Sequence, residues 1–308
     1  MRVSYAPPTG NPLGTNITFK ICSSILIPII NLITKRTWIG AENIPKTGAV
    51  IVANNHLSYF DVLNFAHFLY KNGRAPRFLG KVGVFKVPII GRILLAAGQV
   101  PVERETPNAG KAVDHAKRLL ESGHLLGVYP EGTLSRDADH WPMIAKTGLA
   151  RLAISTRTPV IPVAQWGAQI LMPTYSKKIK LFPRTQITLK AGKPVDLSQW
   201  YGKEDDQQAL IEATAKVMRE ITTLLEEIRG EKRPEVIFDP HTSDLPFVHP
   251  ADSRPFFCLC GLVLAVLAGA CAGRTSWIEK NMGRCHFFVC NGFFVCPDWN
   301  LRPDLQGI

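Results

Sequence analysis

An α/β fold, a mostly parallel sheet flanked by helices, is what this sequence predicts, and three observations carry the prediction. Short apolar runs such as "AVIVA" (49–53), "HLLGV" (124–128) and "PVIPVA" (159–164) read as buried strands. Segments of helical period lie between them, among them 61–71 and 107–123. Proline and glycine punctuate the joins, as Pro107 and Gly123 do around the second of these helices. Strands and helices in alternation argue for helices packed on the faces of a parallel sheet.

Taken in order, residues 16–35, "NITFKICSSILIPIINLITK", come first. They place Asn16, Lys20, Ser23, Ser24, Asn31 and Lys35 at helical spacing in a segment otherwise rich in Ile and Leu. This predicts an N-terminal amphipathic helix suited to a membrane interface, with Lys35 and Arg36 able to meet lipid phosphates. It is short and polar for a spanning helix, and it contains Pro28. The same period would serve a helix docked on the protein's own core. Strand and turn follow in 37–48, then the strand "AVIVA", a helix over 61–71 and the strand "PRFLG" (76–80). A helix in "VPIIGRILLAAG" (87–98) closes at Gly98 and leads to the strand "QVPVE" (99–103). After the helix of 107–123 come the strand "HLLGVYP", a helix around 146–156, the strand "PVIPVA" and a hairpin through "IKLFPRTQITLKAG" (179–192). Leu210, Val217, Ile221, Leu224 and Ile228 line one face of a long closing helix that ends at Gly230.

The chain divides into an N-terminal segment with the membrane-associating helix (1–36), the α/β domain (37–230), and a linker with a cysteine-rich apolar tail (231–308). Within the tail, 256–273 has no charged residue and is barely long enough to span a bilayer. A membrane anchor, an accessory segment and an appended stretch remain open readings of it. Composition, 46% hydrophobic and 20% charged over 308 residues, is that of a globular protein. A formal charge of +11 favours a polyanionic partner. Nucleic acid fits that charge, but neither an aromatic-rich basic strand motif nor a helix-turn-helix is present. Only Cys22 precedes residue 250, which predicts a reduced main domain. The six later cysteines form no C-x-x-C pair, which argues against a zinc site.

Polar clusters sit where strands end, the place where ligands collect in parallel sheets. After "AVIVA" stands "NNHLSYFD", with His56 five positions before Asp61 at a helix start. A carboxylate there can fix one imidazole nitrogen and leave the other as a general base. A structural histidine and a helix-capping aspartate are the plainer alternatives. "PVERE" leaves Glu103 and Arg104 at a second strand end, and "VYPEGTLSRD" puts Glu131, Gly132 and Thr133 in a turn at a third. Arginine is suited to bidentate phosphate contact, and Gly132 permits close approach of a substrate to the backbone. Lys81, Lys86 and Arg92 interleave with Phe85, Ile89, Ile90 and Leu94, a pattern fit either for acyl chains and headgroups or for a core helix with a solvated basic face.

Together these residues resemble one family. "NHLSYFD" (55–61) fits its N-H-x-S-x-x-D signature, and "YPEGTLS" (129–135) resembles its F-P-E-G-T-R-S block. "PVER" (101–104) resembles its arginine-bearing second block, and "VIPVAQWG" (160–167) its V-P-V-type fourth. On these blocks, residues 34–230 are similar to the 1-acylglycerol-3-phosphate (lysophosphatidic acid) acyltransferase family. The resemblance implies transfer of an acyl group from acyl-CoA or an acylated carrier protein to the sn-2 hydroxyl of 1-acylglycerol-3-phosphate, giving phosphatidic acid. It implies His56 as general base, Asp61 as its orienting partner and Arg104 as the grip on the acceptor phosphate, with Lys146 a second candidate. Glu131, Gly132 and Thr133 would shape the acceptor site. No metal, no cofactor and no acyl-enzyme are expected, since a thioester is already activated and no G-x-S-x-G elbow is present. The implied partners are the thioester donor, a lysophospholipid acceptor and an anionic membrane surface, and the implied place is the cytoplasmic face of the cell membrane, peripheral or monotopic. Leu134 stands where the family often has arginine, Glu103 replaces the usual aspartate, and Gln165 replaces a second proline. By the sequence, none of these departures touches the His56/Asp61 pair. Three rivals stay open: glycerol-3-phosphate or another lysolipid or glycolipid as acceptor, hydrolysis through Ser58 as nucleophile, and a non-catalytic lipid-binding module.

Overall fold

The computed structural model describes residues 17–102, 109–176 and 178–240, together with the short pairs 289–290 and 293–294. In chain order, α1 (Ile17–Ile33) runs straight into β1 (Thr34–Ile39), followed by β2 (Val50–Asn54), α2 (Asp61–Lys71) and β3 (Pro76–Lys81). Then come α3 (Val82–Phe85), α4 (Ile90–Ala96), β4 (Val100–Val102), α5 (Ala109–Glu121) and β5 (Leu125–Val128). The domain continues with α6 (Gly148–Thr156), β6 (Val160–Trp166), α7 (Ala168–Leu171), β7 (Thr185–Ala191) and α8 (Gln207–Arg229). Val289–Cys290 (β8) and Phe293–Phe294 (β9) pair antiparallel with each other.

The first seven strands form one sheet in the order β1-β7-β6-β2-β5-β3-β4. Strands β2 to β6 all run parallel; β7 turns against β6 and pairs parallel with β1. The mostly parallel α/β sheet expected from the alternation of strands and helices is therefore the fold.

Period-2 geometry explains why β2 can be apolar throughout. Val50 and Val52 pack into the layer formed by α1 and α2, with Ile30, Ile33, Phe65, Phe68 and Leu69. Ile51 and Ala53 pack into the opposite layer, with Leu119 of α5, Leu152 of α6 and Leu210, Val217 and Ile221 of α8. The Asp206 carboxylate starts α8 by accepting from the Gln208 and Ala209 N–H groups, and Gly230, at φ +68°, ends it.

The expected hairpin over 179–192 does not form: only Thr185–Ala191 is a strand, and both its edges are taken, by β6 and by β1. Ile179 and Leu181 pack instead against the α1/α2 layer. Helix α1 docks Ile30 and Ile33 on the core and packs beside α2 and α4. Its opposite side still presents Ile17, Ile21 and Leu32 to solvent beside Lys20. Among the described residues no helix is long and apolar enough to cross a membrane.

The two ends of the sheet do different things. At the amino ends, the fully buried Arg74 donates through its guanidinium to the carbonyls of Pro45, Gly48 and Gly123, tying together the loops that enter β2 and β5. At the carboxyl ends, β2, β5 and β6 finish side by side and deliver polar loops to one rim. Arg74→Met would leave three carbonyls without their donor, at about 1 kcal/mol or more each. We expect a loss of about 3 kcal/mol in urea unfolding, with the urea dependence itself unchanged.

Candidate active site

Strand β2 ends at Asn54, and the chain then curls through His56 to Asp61 at the start of α2. That curl is closed by one carboxylate oxygen. Asp61 Oδ2 accepts from the backbone N–H of Leu57 at 2.5 Å and of Ser58 at 2.8 Å, and lies 3.1 Å from His56 Nδ1. Asp61 does not cap its helix; its carboxylate points back into the loop and is 1% exposed. With the Nδ1 proton donated to Asp61, the lone pair of the imidazole is on Nε2. The imidazole side chain keeps 15% of its surface exposed, and among the described residues no hydrogen bond engages Nε2.

The turn after β5 holds the same loop from its other side. Glu131, 2% exposed, accepts from the His56 N–H through Oε1 and from the Met143 N–H through Oε2. The Ser135 N–H donates to the His56 carbonyl, and the Tyr129 ring stacks on the imidazole with centroids 4.1 Å apart. Burial pushes the Glu131 carboxyl up to about 8 against the pull of its two N–H donors, and the charges of Asp61 and Asp137 add to the rise. Burial, with Asp61 nearby, also keeps the Tyr129 phenol well above its usual range.

Strand β6 supplies contacts that sequence reasoning placed elsewhere. Gln165 Nε2 donates to Asp61 Oδ1 at 3.0 Å, so this departure from the family pattern does reach the His56/Asp61 pair. The Asn55 side chain exchanges two hydrogen bonds with the Gln165 backbone, continuing the β2–β6 ladder by a side chain where β2 has ended. Thr174 Oγ1 donates to the Leu57 carbonyl. Ser58 is fully buried, its hydroxyl donating to the Met172 carbonyl and accepting from the Phe60 N–H, so it is spent on holding the loop.

The structure thus brings His56, Asp61, Glu131, Gly132 and Lys146 together at one rim. Gly132, at φ +72°, has the Lys146 side chain 3.2 Å from where a Cβ would stand. Thr133 is half-buried in the same turn, and Leu134 is buried. Arg104 and Glu103 lie outside the described residues. No group of three or more His, Cys, Asp or Glu side chains suited to a metal exists among the described residues. Sequence reasoning missed Tyr129 as the imidazole's stacking partner and Asn54, Asn55 and Gln165 as its supports. The doubled asparagine before His56 was the available signal.

Fold and site together define an α/β protein with a histidine–carboxylate pair at the carboxyl rim of a parallel sheet. Residues 35–166 match the model of the acyltransferase family. It is 34% identical over 144 residues to a chloroplastic 1-acyl-sn-glycerol-3-phosphate acyltransferase of Brassica napus, covering 46% of this chain and 40% of that protein. A Borreliella burgdorferi protein of the same name is 30% identical over 129 residues, covering 42% of this chain and 50% of that one. A Bacillus subtilis protein of that name is 24% identical over 215 residues, 68% of this chain and its own full length. The match thus spans half or less of the first two relatives. The crystal structure of a Thermotoga maritima 1-acyl-sn-glycerophosphate acyltransferase overlays with a TM-score of 0.49 at 25% identity, over 70% of this chain and 84% of that one.

The raised Glu131 carboxyl has a pH signature. Its proton is held more tightly in the folded state, so it adds stability that is complete below about pH 4.5 and is lost as pH rises through about 8. Glu131→Gln cannot ionise. We expect the stability of the native protein relative to Glu131→Gln to decline across this window in urea titrations, and a difference that is flat with pH would contradict the assignment.

Proposed function

We propose that this protein transfers an acyl group from an acyl thioester, acyl-CoA or acyl-carrier protein, to the sn-2 hydroxyl of 1-acylglycerol-3-phosphate at a membrane surface. The observation that carries the reading is the His56–Asp61 pair, one nitrogen fixed at 3.1 Å by a buried carboxylate and the other open at the rim. The names of the relatives supply the substrate class.

In this mechanism Nε2 of His56 takes the proton of the acceptor hydroxyl as its oxygen attacks the thioester carbonyl. Asp61 steadies the imidazolium that results. The tetrahedral intermediate then collapses with cleavage of the carbon–sulfur bond, and the imidazolium returns the proton to the departing thiolate. No acyl-enzyme is required. Glu131, through its bond to the His56 N–H, holds the base in place rather than binding the acceptor. Arg104 and Lys146 bind the acceptor phosphate; Lys146 lies against Gly132 in the turn next to His56.

The membrane side is the one bearing α1 and α4, which pack together. Ile17, Ile21 and Leu32 of α1 are exposed there, and the α3–α4 segment presents Lys81, Lys86, Ile89 and Arg92. Apolar side chains ringed by cations suit an anionic lipid interface.

Three measurements test this. With acyl-CoA, 1-acylglycerol-3-phosphate and a thiol-reactive dye, His56→Ala is expected to lower kcat about 10²–10⁴-fold while leaving the unfolding transition in place; near-native turnover would remove His56 from the chemistry. Lys146→Ala and Arg104→Ala are expected to raise the acceptor KM more than they lower kcat. Ile21→Glu is expected to cut retention on anionic vesicles in flotation without changing turnover on acceptor dispersed in detergent.

A further inference from the structure

We propose that Gln165 is a positioning residue of the His56–Asp61 pair: its amide, locked by Asn54, occupies the carboxylate oxygen that His56 does not use and thereby sets how tightly the pair holds a proton. The inference rests on the reading of His56 as the base and adds to it a residue that the family pattern does not contain, since proline is common at this place.

The geometry is specific. Asp61 Oδ2 already serves His56 and the backbone of Leu57 and Ser58, and Oδ1 is met by Gln165 Nε2 at 3.0 Å. Gln165 is 1% exposed, as is Asp61, so water does not compete freely for that oxygen. An amide could present either end. Asp61, which can only accept, calls for the NH₂ end, and Asn54, fully buried on β2, supports that orientation by donating its Nδ2 to Gln165 Oε1 at 3.2 Å. Backbone bonds fix the residue further: the Gln165 N–H and carbonyl are both held by the Asn55 side chain, at 2.7 and 3.0 Å. The glutamine is thus fixed by β2 on two sides and delivers one proton donor to the carboxylate.

The chemical consequence follows from that donor. A hydrogen bond to a carboxylate stabilises its ionised form. Without it, Oδ1 would be a buried anionic oxygen facing no donor, and the pair would retain its shared proton to higher pH. His56 could then act as a base only at higher pH. The other titratable groups around the pair are Tyr129 at the end of β5 and Glu131, Asp137 and Lys146 in the segment that follows it. The Gln165 side chain hydrogen-bonds Asn54 and Asp61 and none of these groups directly.

The test is an imidazole titration that needs no substrate. In ¹⁵N-histidine-labelled protein, the His56 signal is assigned by its absence in His56→Gln, and its titration is compared in the native protein, Gln165→Met and Asn54→Ala. Methionine keeps the length of the side chain and removes both hydrogen bonds. Loss of one bond to a charged group predicts an upward shift of about one pH unit in Gln165→Met. Asn54→Ala should move the same way by less, because Gln165 keeps its donor toward Asp61 but loses the bond that steadies its amide. The acidic limb of kcat is expected to move with the titration while the acceptor KM stays put, a separation that a merely structural role would not give. An unshifted His56 titration in both variants overturns the inference, whatever the rates. Should Gln165→Met not fold, Asn54→Ala alone decides it. A shifted titration together with absent acyl transfer in the native protein would uphold the positioning role and overturn the proposed acyltransferase activity.

Discussion

Four donors converge on the carboxylate of Asp61: the His56 imidazole, the backbone of Leu57 and Ser58, and the Gln165 amide. Most of what is specific about this protein depends on that convergence. A carboxylate taken almost wholly out of water is costly, and only a full set of donors makes it tolerable. Each donor requires part of the fold to be in place. The loop must curl back from β2 for two of them, the imidazole must lie on its stacking ring for the third, and β6 must run beside β2 for the fourth. The site is therefore complete only where the sheet is.

Burial is graded outward from that point. Asp61 is 1% exposed, while the His56 side chain retains 15%. Under the proposed mechanism the gradient has a chemical use, because a low-dielectric surrounding strengthens the carboxylate's pull on an imidazolium, while the other nitrogen would still have to meet an external hydroxyl. Tyr129 on one face of the ring and Glu131 beneath its backbone confine the imidazole without covering Nε2. The supports come from β2, β5 and β6: β2 and β5 end within a residue of each other, and β6 runs on past the end of β2 to carry Gln165. Arg74 performs the corresponding task at the other end of β2 and β5, where it gathers carbonyls instead of serving chemistry.

Periodicity makes the sheet legible in the sequence. β2, β5 and β6 are apolar because both faces are covered, and α8 shows its buried face in the spacing of Leu210, Val217 and Ile221. The pair His56/Asp61 was legible too, because both partners lie on one loop and five positions suffice to close it. What could not be read was long-range. The Gln165 amide reaches Asp61 across 104 positions, and nothing local to either residue announces the contact. The expected hairpin over 179–192 failed for a related reason: β7 had a local partner on offer, yet its free edge is taken by β1, which pairs Thr34 with Thr185 far along the chain. Glu131 shows a third limit. A glutamate in a turn at a strand end invites a substrate-facing reading, and only its burial and its two backbone donors turn it inward.

The identity of the group at position 165 can be argued from what the alternatives would do to Asp61. A lysine or arginine there would satisfy Oδ1 but also neutralise the carboxylate, and so weaken its attraction for an imidazolium. A proline or an aliphatic side chain would leave the charge intact but the oxygen without a donor, at a cost paid in proton affinity. A neutral amide lies between these. It orients Asp61 and disperses its charge without cancelling it, provided the amide cannot turn over, and Asn54 removes that freedom. The doubled asparagine of "NNH" thus has two jobs: Asn54 fixes the direction of the amide, and Asn55 fixes the backbone that carries it.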